Sequence, residues 1–246
     1  MDLANRVVLL TGAKRIGAAI AEAVAVRGAK VAIAYNRSRA DAEATATAIS
    51  ASGGRATIVQ ADVSNNASCR NLIDTVEHEL GRLDVLINMA SVYKAVKIED
   101  LNEAAWDRQI GVDLGGTFRC SMAAIPIMRR LGGGRIVNFS DWLAVSGRPR
   151  YPGYSAYYVA KSGVKALTEA LALELAPDRI LVNAIAPGPI LPPPETTDDE
   201  SQAVERATPL GRWGGPEEIV KVVLTMIDSD FMTGETVRVD GGRHLK

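Results

Sequence analysis

Val7-Val8-Leu9-Leu10-Thr11-Gly12-Ala13-Lys14-Arg15-Ile16-Gly17 runs from a block of aliphatic side chains, through a glycine turn, into a segment whose apolar residues recur at helical spacing as far as Arg27. Val7–Leu10 has the length and composition of a strand, and Ile16–Arg27 those of a helix. Glycine directly after a strand lets the backbone approach a ligand closely. The N–H groups and dipole at the start of the next helix then favour an anion such as a pyrophosphate. Two glycines are fewer than the dinucleotide fingerprint requires, so a tight strand-to-helix turn without a ligand is the alternative reading of this stretch.

Outward from this unit the same alternation repeats. Short apolar or β-branched runs stand at Val31–Tyr35, Thr57–Val59, Val85–Ile87, Ile136–Phe139, Leu181–Ile185 and Thr236–Val239. Helical patterns lie between them at Ala40–Ser52, Ala67–Leu80, Glu103–Arg130, Tyr157–Leu175 and Pro216–Ile227. Strand and helix alternating this often imply parallel pairing through right-handed crossovers. The expected class is α/β: one doubly wound, seven-stranded, mostly parallel sheet with helices on both faces. Its strands read as continuous apolar runs, which fits burial on both sides. No linker separates differently composed halves, so residues 1–246 read as a single domain. Prolines and acids in Pro187–Glu200 oppose regular structure. That stretch is either a disordered surface loop or part of a mobile substrate loop around residues 187–212, since ligands of such sheets bind beyond the carboxyl ends of the strands.

Composition narrows the function. With 246 residues, 47% hydrophobic, 23% charged and a net charge of −1, the chain has the character of one soluble, enzyme-sized domain. The lack of a basic excess argues against nucleic acid as a partner. Cys69 and Cys120 lie in helical segments without a partner motif or metal spacing, which points to a reducing, cytoplasmic compartment. Two histidines, His78 and His244, argue against a His-based metal site, and no metal is expected. The chain enters its first strand pattern without a leader, and no apolar run approaches membrane-spanning length.

The second strand run is followed by Asn36-Arg37-Ser38 instead of an acid. An acid there would bond a ribose 2′-hydroxyl, whereas arginine accommodates a 2′-phosphate. Lys14 and Arg15 add cations near the same anion, so the pattern favours NADPH over NADH; the alternative is that all three are solvated surface charges. A proton donor is suggested by Tyr157 and Lys161, whose i,i+4 spacing puts phenol and ammonium on one helical face. A nearby cation lowers a phenol from its usual pKa of about 10 toward the range where proton transfer is efficient. Tyr93 and Lys97 make the same pattern. The strand run before Tyr157 ends in Ser140 and Asp141, placing a carboxylate in the same region.

In this order the motifs resemble the short-chain dehydrogenase/reductase family across nearly the whole chain. The matching pieces are Thr11–Gly17, Asp62-Val63, Asn88-Met89-Ala90, Tyr157-x-x-x-Lys161, Pro187-Gly188 and Asp240-Gly241-Gly242. The resemblance implies a single Rossmann-type domain, a homotetramer, and Tyr157 and Lys161 as the catalytic pair. It also implies a set of NADPH contacts. The first helix would supply Gly12, Lys14, Arg15, Ile16 and Gly17. The ends of the second and third strands would supply Tyr35, Asn36, Arg37, Ser38, Asp62 and Val63. The remaining contacts would be Asn88, Ala90, Tyr157, Lys161, Pro187 and Gly188.

Several departures resemble one subgroup, the pteridine and dihydromonapterin reductases. Asp141 stands where most of the family has a serine, Arg15 where it has the middle glycine, and Ala90-Ser91-Val92-Tyr93 places an aromatic shortly after the fourth strand. The closing Gly241-Gly242-Arg243-His244-Leu245 is similar to the same subgroup. Arg15, Ser91, Tyr93, Asp141 and Tyr157 would then contact a flat ring, with Tyr93 stacked on it. Asp113 replaces the asparagine that anchors a relay water in the family and is carried as a fourth catalytic position. Met89 replaces a second asparagine, and the glycine loop is one residue short. The Asp141–Tyr157 separation is about three residues longer than the subgroup's, so whether the two side chains meet is left to the fold.

The function expected is NADPH-dependent reduction of a pterin or dihydropterin-like small molecule, with Tyr157 donating the proton and Lys161 lowering its pKa. The alternative is a general carbonyl or 3-oxoacyl-thioester reductase in which Ser140 serves the tyrosine, and a third reading is a catalytically inactive NADP-binding protein. Individual residues carry plainer readings too. Asp141 also reads as a turn cap, Trp142 as core or subunit contact, Tyr93 as an exposed loop aromatic, and Tyr151 and Tyr154 as turn or pocket-wall residues.

Overall fold

The aliphatic run that opens the chain becomes β1 (Val7–Thr11) in the computed structural model, which describes every residue except Ala13 and Arg148. Ala13, in the middle of the glycine turn, therefore lies outside the described residues. After β1 come α1 (Ile16–Val26), β2 (Lys30–Tyr35), α2 (Arg39–Ala51), β3 (Arg55–Gln60), α3 (Asn66–Leu80) and β4 (Val85–Asn88). The second half continues through α4 (Glu103–Arg130), β5 (Gly134–Phe139), α5 (Trp142–Val145), α6 (Ser155–Leu175), β6 (Ile180–Pro187), α7 (Asp198–Ala207), α8 (Pro216–Asp228) and β7 (Thr236–Val239).

The seven strands form one sheet in the order β3-β2-β1-β4-β5-β6-β7. All six pairings are parallel, where the sequence implied only a mostly parallel sheet. Strand order reverses between β1 and β4, whose pairing ends at Leu10 with Ile87. Beyond that point the chain leaves the sheet at Gly12, Met89, Ser140 and Gly188, opening a crevice along one edge.

Alternate residues of β1 show why the sheet is covered on both sides. Val7 and Leu9 pack with Leu72, Ile73 and Val76 of α3, Met128 of α4 and Leu171 of α6. Val8 and Leu10 face the other way, onto Ile20 and Val24 of α1, Ile49 of α2 and Val223 of α8. All four are fully buried, each contributing roughly 1.5–3 kcal/mol of apolar burial. Cys69 on α3 and Cys120 on α4, unpartnered in the sequence pattern, face each other with their sulfurs 3.7 Å apart. Among the described residues no helix is long and apolar enough to cross a membrane.

The expectation of no regular structure through Glu200 is corrected by α7. Thr197 Oγ1 accepts from the Glu200 N–H at 3.3 Å, and the Glu200 carboxylate accepts from the Thr197 N–H at 2.9 Å, forming a reciprocal cap. Asp198, Asp199 and Glu200 sit in the first turn, where acids complement the helix dipole. The acids that looked like breakers are start signals. Thr197→Ala should cost α7 about 0.5–2 kcal/mol. Amide hydrogen exchange should show faster exchange in 199–204 with α8 unchanged; unaltered protection of α7 would contradict the cap.

Candidate active site

The carboxyl ends of β1, β4, β5 and β6 surround a cleft of about 1030 Å³. The phenol at its centre is placed by the first turn of α6 and is almost fully buried. Tyr157 Oη donates to Asp141 Oδ2 at 2.9 Å. The longer Asp141–Tyr157 segment does not separate them. Its residues form α5 and the Tyr151–Tyr154 turn, where the Gly153 carbonyl accepts from the Val96 N–H at 2.8 Å. Asp141 is also the cap of α5, accepting from the Leu143 N–H at 2.8 Å through its other oxygen. Cap and site residue were alternatives in the sequence; here one carboxylate both caps α5 and accepts from the phenol. Ser140 Oγ instead donates to the Lys161 main-chain carbonyl at 2.9 Å.

Lys161 lies one turn beyond Tyr157, with Nζ 5.6 Å from the phenol ring centroid. Nζ donates to the Phe139 carbonyl at 2.8 Å and pairs with Asp113 Oδ2 at 3.4 Å. Both members of that pair are buried, and removing one partner of such a pair typically costs about 3–5 kcal/mol. Asp113 further accepts from Ser91 Oγ and from the Val92 N–H at 2.8 Å. The position that anchors a relay water in the resemblance is thus wired directly to both lysine and serine.

This arrangement corrects the expected effect of Lys161. Burial, then the charges of Asp141 and Asp113, push the Tyr157 pKa well up. One ammonium does not offset two carboxylates and desolvation. Burial likewise raises Asp141, outweighing the Leu143 N–H, the Tyr157 hydroxyl and the charge of Lys161, all of which favour its ionised form.

Aromatic rings complete the wall. Tyr93 stacks on Tyr154 with centroids 5.0 Å apart and meets Tyr157 edge-on at 5.2 Å. Its side chain is 57% exposed, leaving surface for a flat ligand. Trp142 is buried and meets Tyr151 edge-on.

The expected cofactor contacts divide into two groups. Lys14, Arg15, Ile16, Pro187 and Gly188 line the cleft together with Ser91, Tyr93, Asp141, Tyr157 and Lys161. Gly12 has φ 137°, and a Cβ on Gly17 would stand 2.4 Å from the Gly12 carbonyl oxygen. Both glycines are therefore required by the turn. Helix α1 begins with no side-chain cap and no acid in its first turn, so its N-terminus fits an anion. Lys14 pairs with Asp41 at 3.1 Å, and Arg15 Nη2 donates to the Pro192 carbonyl at 2.5 Å, tying the glycine turn to the proline-rich segment.

The second group lies at the ends of β2 to β4. Asp62 is held low chiefly by hydrogen bonds from Ser64, with Asn36 and Arg37 contributing. Ser38 precedes α2 without capping it. Tyr35 and Val63 are buried in the core. Asn88 turns inward, donating to Ser121 Oγ at 3.1 Å and Asn138 Oδ1 at 3.0 Å. Thr11, absent from the expected site, accepts from the Met89 and Ala90 N–H groups at 3.0 and 3.2 Å and so fixes the chain after β4. Arg243 and Trp213 also line the cleft; they come from distant segments, and although the tail that carries Arg243 resembled the subgroup, neither residue was expected in the site.

A family model described as enoyl-(acyl carrier protein) reductase matches residues 12–244. The chain is 39% identical over 249 residues to the short-chain reductase protein NovJ of Streptomyces niveus, covering 96% of this chain and 93% of that protein. It is 36% identical to a 3-oxoacyl-[acyl-carrier-protein] reductase of Synechocystis sp., covering 98% and 97%. Among solved structures, a putative short-chain alcohol dehydrogenase from Sinorhizobium meliloti 1021 superposes with a TM-score of 0.92 at 33% identity, covering 100% of this chain and 98% of that one. The likeness therefore spans the whole chain.

The raised Asp141 has a measurable consequence. Its folded pKa lies above the unfolded one, so the native state holds more protons and stability falls as pH rises from the ordinary carboxylate range through the folded value. Asn at 141 can still accept from the Leu143 N–H but carries no charge. Asp141→Asn should therefore raise Tm relative to the parent at pH 8, with the gain shrinking toward about pH 4. Thermal unfolding across that range checks it; a parent more stable than the variant at pH 8 would refute the buried-charge account.

Proposed function

The chain belongs to the short-chain dehydrogenase/reductase family, and from that premise we propose that it is an NADPH-dependent reductase of a pterin or dihydropterin-like ring. The family implies a nicotinamide cofactor, and the residues at the cleft fit one. The uncapped start of α1 and the open turn at Gly12 would receive the pyrophosphate. Arg37, with Asn36 beside it and no acid at the end of β2, favours a 2′-phosphate. Lys161 and the Pro187-Gly188 segment would hold the nicotinamide end, where the bound cofactor supplies hydride.

Tyr157 provides the proton. The phenol is protonated at neutral pH, as an ordinary one is, and burial with the neighbouring carboxylates pushes its pKa further up, so the proton passes only to an acceptor that becomes basic as it is reduced. Asp141 orients the hydroxyl through the 2.9 Å hydrogen bond, and Lys161 is itself held by Phe139 and Asp113. Ser91, exposed to the cleft and bonded to Asp113, offers a side-chain route by which Lys161 communicates with water.

The carrying observation is that Tyr157 meets a carboxylate rather than a serine. A carboxyl group with a raised pKa can exchange a proton with a ring nitrogen as well as position the phenol, and the exposed Tyr93 ring offers a stacking surface beside it. The second reading, a 3-oxoacyl-thioester reductase, is favoured by the names of relatives at 36% and 34% identity. It has less support from the site, because Ser140 is bonded to the main chain of α6.

A homotetramer remains part of the proposal. Phe118 and Met122 on α4 and Leu173 on α6 are exposed apolar side chains suited to contacts between subunits.

Tyr157→Phe should lower NADPH-dependent turnover by about 100-fold or more, a typical contribution of general acid catalysis. Cofactor binding measured by fluorescence titration should change little; an active variant would refute the assignment. Dihydropterin and acetoacetyl thioester, each assayed with NADPH, separate the two readings.

A further inference from the structure

One end of the cleft has no part in the chemistry above. Beyond Asp141 the wall continues through Trp142, Tyr151 and Arg243. The Arg243 guanidinium lies 6.0 Å from the Trp142 ring centroid, and its Nη2 donates to the Tyr151 hydroxyl at 3.4 Å. No carboxylate forms an ion pair with Arg243 among the described residues. The acid nearest in sequence, Asp240, is taken by His244 Nδ1 at 2.7 Å and by the N–H groups of Gly242 and His244.

The tail carrying Arg243 is anchored. Arg150 donates to the carbonyls of His244, at 3.0 Å, and Lys246. Its guanidinium lies 5.3 Å from the same Trp142 ring centroid. Two arginines and a buried indole thus fix the chain end against the cleft wall, immediately after the residue that holds Tyr157.

We propose that this end of the cleft is a carboxylate-binding subsite, in which Arg243 receives an acidic group on a side chain of the substrate and Trp142 and Tyr151 hold its guanidinium in place. A guanidinium presents paired N–H donors that match a carboxylate, and resting on an aromatic face reduces the freedom lost on pairing. The inference rests on the reductase reading and deepens it: the substrate is a flat ring with an acidic tail, and Arg243 selects the tail while Asp141 and Tyr157 act on the ring.

The test compares dihydrofolate, whose side chain ends in carboxylates, with dihydrobiopterin, whose side chain is neutral, in the full-length protein, Arg243→Gln and Arg243→Lys. The ratio of kcat/KM for the acidic over the neutral substrate should fall roughly tenfold or more in Arg243→Gln and partly recover in Arg243→Lys. An equal loss on both substrates, or none, overturns the subsite. A binding arm uses p-aminobenzoylglutamate and its diamide, followed by tryptophan fluorescence. The diacid should bind at least about tenfold more tightly than the diamide, and Arg243→Gln should abolish the difference. If neither pterin is turned over, the ring assignment fails while the binding arm still decides the subsite. Equal binding of diacid and diamide overturns it.

Discussion

Tyr157 gives its hydroxyl hydrogen to a half-buried carboxylate on the cleft wall. That single bond sets the demands on the rest of the site. A half-buried carboxylate beside a buried phenol holds protons tightly, and Asp113 adds a second negative charge against the ammonium of Lys161. The arrangement persists because each member has a second partner: Leu143 N–H on Asp141, the Phe139 carbonyl on Lys161, and Ser91 and Val92 on Asp113. The excess of carboxylate favours a site that holds a proton until a substrate takes it, which is the polarity a reductase needs.

The sheet makes this meeting possible. Asp141 follows the end of β5, Tyr157 and Lys161 stand on the crossover helix from β5 to β6, and Asp113 stands on the crossover helix from β4 to β5. Parallel pairing brings all their strand ends to one edge, with the glycine turn of β1 alongside. Buried polar bonds tie β4 to β5 through Asn88 and Asn138, β5 to α6 through Asn138 and Thr168, and β1 to the chain after β4 through Thr11. A shift of one strand relative to its neighbour would break several of these at once, so the polar interior enforces the register that the apolar core alone would specify less sharply.

Much of this was legible in the residues because it depends on local pattern. Val7–Leu10 and Ile136–Phe139 declare buried strands, and α4 begins and ends where its apolar period predicts, Glu103 to Arg130. What the sequence concealed depends on three-dimensional charge and on capping. The i,i+4 spacing of Tyr157 and Lys161 suggested a lowered phenol pKa, but burial, and then the charges of Asp141 beyond β5 and Asp113 on α4, reverse the sign. Helix α7 was hidden behind prolines although Thr197 and Glu200 spell its cap. The longer Asp141–Tyr157 segment looked like a threat to their contact, yet the extra chain builds the turn that sets Tyr154 against Tyr93. Arg243 stood in a tail that resembled the subgroup, but its place in the cleft was not legible because it depends on that tail being held by Arg150.

The central claim is that the carboxylate on Tyr157 directs the enzyme toward a ring substrate. It is tested most directly by Asp141→Ser, which restores the family's usual residue, assayed with NADPH on dihydropterin and on acetoacetyl thioester. The account predicts that the ratio of kcat/KM for dihydropterin over thioester falls by about 100-fold, the scale of one general acid–base contribution. An unchanged ratio, or a parent protein that reduces only the thioester, would contradict it.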